Sequence, residues 1–113
     1  MIIESCKFGS MVVDGTAYTK DLIILPDRVI SPWWRVDGHS LAPGDLKVIF
    51  DLKPEIFVVG TGAMGMMRVP DETLKVLTES GIDTIIMRTP EAYTAFNKIS
   101  PSINACSAFH LTC

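Results

Sequence analysis

The chain has 113 residues, 48% apolar and 20% charged, which is the composition of a globular protein long enough to bury one core without disulfide staples. A net charge of −3, with Lys and Arg scattered along the sequence, argues against a nucleic-acid or phospholipid surface as partner. The opening MIIESCKFGS lacks the basic start and long apolar region of a secretory signal, no apolar run approaches membrane-spanning length, and the odd, widely spaced Cys6, Cys106 and Cys113 fit reduced thiols in a cytoplasmic protein.

The first third is strand-like. In MVVDGTAY the pair Asp14-Gly15 stands between apolar residues and predicts a hairpin, because such a turn needs positive φ. DLIILPDRVI repeats the pattern, with Pro26-Asp27 turning between short strands at 22–25 and 28–30. SPWWRVDGHSLAPGDL, residues 31–46, mixes Pro and Gly with two tryptophans and reads as an irregular loop entering a helix. Leu46, Ile49 and Phe50 share one face of that helix, and Pro54 stops it.

From there the elements alternate. EIFVVG is a short, nearly continuous apolar run, as expected of a strand buried on both faces. DETLKVLTESG is helical, with Asp71 and Glu72 in its first turn and Gly81 at its end. DTIIMR reads as a second buried strand. TPEAYTAFNKI is a helix with Thr89 as N-cap, Pro90 at the first helical position and Ala92, Ala95, Phe96 and Ile99 facing inward. ACSAFHLTC forms a last strand. Right-handed crossovers put the 56–60 and 83–88 strands parallel in one sheet. The expectation is a single α/β domain over residues 1–113, in three layers around a central mixed sheet, with N-terminal hairpins and flanking helices.

FVVGTGAMG spells G-x-G-x-x-G at Gly60, Gly62 and Gly65. A dinucleotide site needs a helix starting inside that motif, so that its amides meet the pyrophosphate, and an acid at the end of the next strand for the ribose. Here MMRVP intervenes before the helix, and Arg88 stands where the acid belongs. The glycines then read as a sharp turn and a close approach, with at most a small anion nest around Thr61 and Gly62. No nucleotide or other cofactor is expected.

The other chemistry is sparse. His110 in an apolar strand reads as a hydrogen-bonded core residue. One strand carrying Cys106, His110 and Cys113 cannot close a tetrahedral zinc site, so no metal is expected. A thiolate nucleophile needs a base near Cys106, for which His110 or His39 is the available type. Asp14, Asp21, Asp27 and Asp37 fall mostly in turns, where carboxylates bond the backbone. No catalytic residue is assigned. Adjacent Trp33 and Trp34 on extended chain point to opposite faces, so one is partly exposed beside Arg35, as in an interface anchor. Met66 and Met67 add soft apolar surface.

KFGSMVVDGTAY, WWRVDGHSL, KPEIFVVGTGAMG, ESGIDTIIMRTPEAYTAFN and FHLTC occur in that order over nearly the whole chain. These blocks resemble a widespread family of small uncharacterised domains that includes the mitochondrial NADH dehydrogenase (complex I) assembly factor 3 and the adipogenesis-associated domain-containing protein. The resemblance implies a three-layer α/β fold, an undefined biochemical function and protein–protein contact of the assembly-factor kind. It supplies no catalytic residues. Where the family often has Cys in its T-x-E-A-C block, this chain has Tyr93, which removes a thiol mechanism from that position.

Two functional expectations follow. The leading one is a non-enzymatic protein-binding or assembly module, with Trp33, Trp34, Met66 and Met67 as interface candidates and the oligomeric state open. The alternative is a small-molecule or anion site where the Gly60–Gly65 loop meets the 31–40 loop, using Thr61, Gly62, Arg35, His39 and Arg68.

Overall fold

The Asp14-Gly15 pair turns the chain through left-handed φ values of 47° and 81°, folding Ser10–Val13 (β2) onto Thr16–Tyr18 (β3). In the computed structural model, which describes residues 1–113, Ile3–Lys7 (β1) adds antiparallel to β2 and completes a three-stranded sheet. Leu22–Ile24 (β4) and Val29–Ile30 (β5) form the next hairpin. A 3₁₀ turn, Pro43–Leu46, leads into the short helix Lys47–Leu52 (α1). That helix ends where Lys53 takes φ 48°, one residue ahead of Pro54.

Ile56–Gly60 (β6), Asp71–Glu79 (α2), Asp83–Met87 (β7), Thr89–Ile99 (α3) and Ala105–Phe109 (β8) complete the chain. The main sheet has the order β5-β4-β8-β6-β7. β6 pairs in parallel with both β7 and β8, whereas β4 pairs antiparallel with β8, so the sheet is mixed. All five residues of β8 are buried, as its central place requires.

Alternation along the strands gives each face of this sheet its own core. Ile23, Phe57, Val59, Cys106 and Ala108 meet Leu46, Ile49 and Leu77 from the helical segments on one side. Leu22, Ile24, Val58, Ala105 and Phe109 meet Ala92 and Phe96 of α3, together with Ile3, Met11 and Val13 of the small sheet, on the other. The result is the expected three-layer α/β arrangement.

Two local expectations are corrected. β7 is an edge strand, and Ile86 and Met87 are exposed, because nothing pairs on its outer side. An apolar run reads alike at a sheet's edge and centre, since strand order is set by distant segments. Thr89 makes no cap hydrogen bond to α3. Its hydroxyl accepts from the Gly62 amide at 2.9 Å and donates to the His110 carbonyl at 2.7 Å, tying β6, α3 and β8 together.

Candidate functional site

The 31–42 loop is irregular in shape but firmly fixed. The Trp33 amide donates to the Asp21 carbonyl at 2.8 Å, and its indole N–H donates to the Asp45 carbonyl at 3.2 Å. The Asp45 carboxylate accepts from the amides of Val36 and Ala42. Further along, the Arg68 amide donates to the His39 carbonyl at 2.7 Å, and the Leu41 amide to the Arg68 carbonyl at 2.8 Å. Thr73 of α2 donates its hydroxyl to the Leu41 carbonyl at 2.7 Å. These bonds hold the loop against the chain that follows β6.

At the base of the loop lies a buried polar cluster. Asp21, just before β4, uses both carboxylate oxygens: Oδ1 accepts from the Leu111 amide at 2.8 Å, and Oδ2 accepts from Arg35 Nη2 at 2.8 Å and His110 Nδ1 at 2.7 Å. The side chains of Arg35 and His110 are only 4% and 8% exposed, so this is an interior ion pair extended by a histidine. Burial alone would raise the Asp21 carboxyl. The bonds from His110, the Leu111 amide and Arg35 outweigh burial and hold it below the ordinary carboxylate range.

The geometry assigns the tautomer. An ionised carboxylate only accepts and a guanidinium only donates, so the Nδ1 position of His110 bears a proton and donates that N–H to Asp21. The 3.3 Å approach of Arg35 Nη2 to His110 Nδ1 is then a contact between two donors around a shared acceptor. Nε2 of His110 is buried and has no partner. Arg35 also donates to the Gly38 carbonyl at 2.8 Å, and its guanidinium carbon lies 4.7 Å from the centroid of the Trp33 ring.

The glycine-rich loop packs against the same histidine. Gly62 has φ 105°, and a Cβ there would lie 2.3 Å from the Cys113 carbonyl carbon and 2.8 Å from His110 Cδ2. Gly60 is equally constrained, since a Cβ there would sit 2.5 Å from the Phe109 ring. The amides of this loop are engaged within the chain: Thr61 with Met87, Gly62 with Thr89, Ala63 with Thr112, Met64 and Met66 with Cys113, and Gly65 with Gly62. An anion nest around Thr61 and Gly62 therefore has no amide left to offer. The helix after the motif starts at Asp71, away from the glycines, as the MMRVP insertion requires.

Around His110 the fold gathers Arg35, Gly62 and His39, whose ring stands edge-on to His110 with centroids 5.9 Å apart. It does not bring Thr61 or Arg68 into that group by their side chains. The Thr61 hydroxyl donates to the Met87 carbonyl at 3.1 Å, and the exposed Arg68 joins the loop through its backbone. Trp33 and Met67 are core residues, 6% and 2% exposed, whereas Trp34 and Met66 are 75% and 55% exposed. Of the four interface candidates, only Trp34 and Met66 present surface. Cys106 is buried among apolar side chains, which together with the Asp27 charge pushes its thiol up to about 11, so it is a poor nucleophile.

The pairing of Asp21 with His110 and Arg35 is what sequence reading misses. Asp21 and His110 meet across 89 positions, and no spacing rule connects them. The available signals are an acid immediately before an apolar strand and a lone histidine closing the last one.

Between Trp34, Lys20, Pro32, Thr19, Leu111 and Thr112 a cleft of about 260 Å³ opens above the Asp21–Arg35 pair. Residues 3–110, nearly the whole chain, match the family described as protein of unknown function (DUF498/DUF598). The chain belongs to that family. Among its relatives is the human NADH dehydrogenase [ubiquinone] 1 alpha subcomplex assembly factor 3, 28% identical over 100 residues that make up 86% of this chain and 53% of the relative. The chain thus spans about half the length of that curated relative. The family fold recurs in the conserved hypothetical protein PH1505 from Pyrococcus horikoshii OT3, with 25% identity, a TM-score of 0.85 and coverage of 100% of both chains. An outer membrane protein from Bartonella henselae shares the fold at 18% identity, with a TM-score of 0.83 over 98% of this chain and 94% of its own. No helix here is long and apolar enough to cross a membrane.

Proposed function

We propose that this DUF498/DUF598 member is a non-enzymatic protein-binding module of assembly type, and that it meets its partner on the face carrying Trp34. The assembly-factor relative supports the general kind of role. The observation that carries the reading to a surface is Trp34 itself, 75% exposed between the core residue Trp33 and the interior cation Arg35. A large aromatic side chain on a loop already fixed by its neighbours loses little entropy on docking, which is the property of an interface anchor. Val36, 95% exposed, extends the apolar surface of the same loop. The three free thiols fit work in a reducing compartment such as the cytoplasm.

The test is affinity capture from native extract with the wild type and Trp34→Ala side by side, followed by a binding titration with the recovered protein. An anchor of this kind contributes about 2 kcal/mol or more, so the variant binds roughly 30-fold more weakly. Equal affinity of the two forms removes the Trp34 face from the account.

A further inference from the structure

We infer that the cleft beside Trp34 receives a carboxylate from the partner, carried on an acidic side chain that adjoins an apolar group. This rests on the protein-docking reading above and specifies its chemistry.

Size comes first. A cleft of about 260 Å³ lies just below the ~300–1,000 Å³ of ordinary small-molecule sites, so it suits a side chain or a fragment. Shape comes second. Pro32, Trp33, Trp34 and Leu111 give it flat apolar walls.

Charge decides the ligand class. The charged residues lining the cleft are Lys20, Arg35 and Asp21. Among these lining groups two positive charges and one negative leave one net positive charge, set in a chain of net −3. The charge of Asp21 is already matched by Arg35, and both its oxygens accept hydrogen bonds, from Leu111, Arg35 and His110. Lys20 makes no ion pair. Arg35 keeps two nitrogens, Nε with one N–H and Nη1 with two, without any acceptor although its side chain is 4% exposed. Those nitrogens are shielded from solvent, so Arg35 acts on the cleft through its charge, and Lys20 is the group free to meet an acceptor directly. A single net positive charge matches a carboxylate. A phosphate dianion would bring one negative charge too many into a partly desolvated cleft.

The protein supplies its own reporters, because its two tryptophans both line the cleft. Sodium benzoate is titrated against ¹⁵N-labelled protein while the two indole N–H resonances are followed. Benzyl alcohol, with the same ring and no charge, is the control, and sodium chloride holds ionic strength constant. Benzoate is expected to shift the indole resonances saturably, with a dissociation constant on the order of millimolar for so few atoms. Benzyl alcohol leaves them unmoved, and Lys20→Glu, an exposed and unpaired site, weakens benzoate about fivefold. No saturable shift, equal shifts from both probes, or unchanged benzoate affinity in Lys20→Glu each overturns the inference.

A second arm separates this inference from the reading beneath it. If partner binding depends on Trp34 but neither Lys20→Glu nor added benzoate weakens it, the carboxylate inference fails and the docking face stands. If Trp34→Ala leaves partner binding unchanged, the docking face fails, and the carboxylate inference falls with it. Weakening of partner binding by Trp34→Ala, by Lys20→Glu and by benzoate supports both.

Discussion

Asp21 illustrates how one side chain can hold together segments that are remote in sequence. Its carboxylate is the common acceptor for Arg35, His110 and the Leu111 amide, so removing its charge leaves an interior guanidinium uncompensated. Asp21→Asn keeps the volume and one acceptor but lacks the charge. Breaking an ion pair of this kind costs about 3 kcal/mol, which urea denaturation at neutral pH would record as a lower midpoint. The pH dependence has a definite sign. The folded Asp21 carboxyl lies below its ordinary value, so its stabilising contribution is fully present above an unfolded value of about 3.9. That contribution is lost as the pH falls through the lower folded value. Urea midpoints measured from pH 7 down to pH 2 should therefore show a steeper acid loss in the wild type than in Asp21→Asn.

At the scale of elements, the joint between β6, α3 and β8 depends on a hydroxyl. Thr89 satisfies the Gly62 amide and the His110 carbonyl at once, both in the interior. Thr89→Val preserves shape and leaves both groups without that partner, at a cost of about 2 kcal/mol by chemical denaturation. Were Thr89 only a helix cap, circular dichroism of α3 would carry the change and the surroundings of Gly62 and His110 would not. Amide exchange at Gly62 distinguishes the two, and the present geometry predicts faster exchange there. The two parallel strands beside this joint contrast with each other. Phe57→Ala in β6 removes a fully buried ring and should cost about 3–5 kcal/mol. Ile86→Thr on the β7 edge should stay within about 0.5 kcal/mol.

Local signals in the sequence were legible because their causes are local. Asp14-Gly15 marks its hairpin through φ, and Trp33-Trp34 divides between core and surface because consecutive residues face opposite ways. The departure of the glycine motif from the dinucleotide pattern was legible in the late helix start, which falls at Asp71, and in Arg88 at the place of the acid. What the glycines do was not, since the segments that crowd Gly60 and Gly62 belong to β8 and the residues after it, some 50 positions on. The same distance hid β7's edge position and the meeting of Asp21 with His110.

For the whole molecule, the two cores on opposite faces of the main sheet place stability in the middle layer and leave the loop ends available for contact. Trp34 belongs to neither core. Trp34→Ala should therefore leave stability within about 0.5 kcal/mol of wild type while weakening partner binding roughly 30-fold. A large stability loss in that variant would mean that the indole holds the loop in place. The division of labour then runs between adjacent tryptophans, one closing the core and its neighbour facing outward.

The central position of β8 also governs the order of events as the chain is made. Without residues 105–109 the pairings β4 with β5 and β6 with β7 share no strand, and the main sheet cannot close. Each of those pairs would present an unpaired apolar edge at β4 or β6, the kind of edge that pairs non-specifically when exposed. Each strand that β8 joins lies far behind it in sequence, so closure is a long-range event and folding is slow relative to a helical domain of similar length. Of the eight strands in residues 1–113, the last in chain order is the one that joins the two halves of the main sheet.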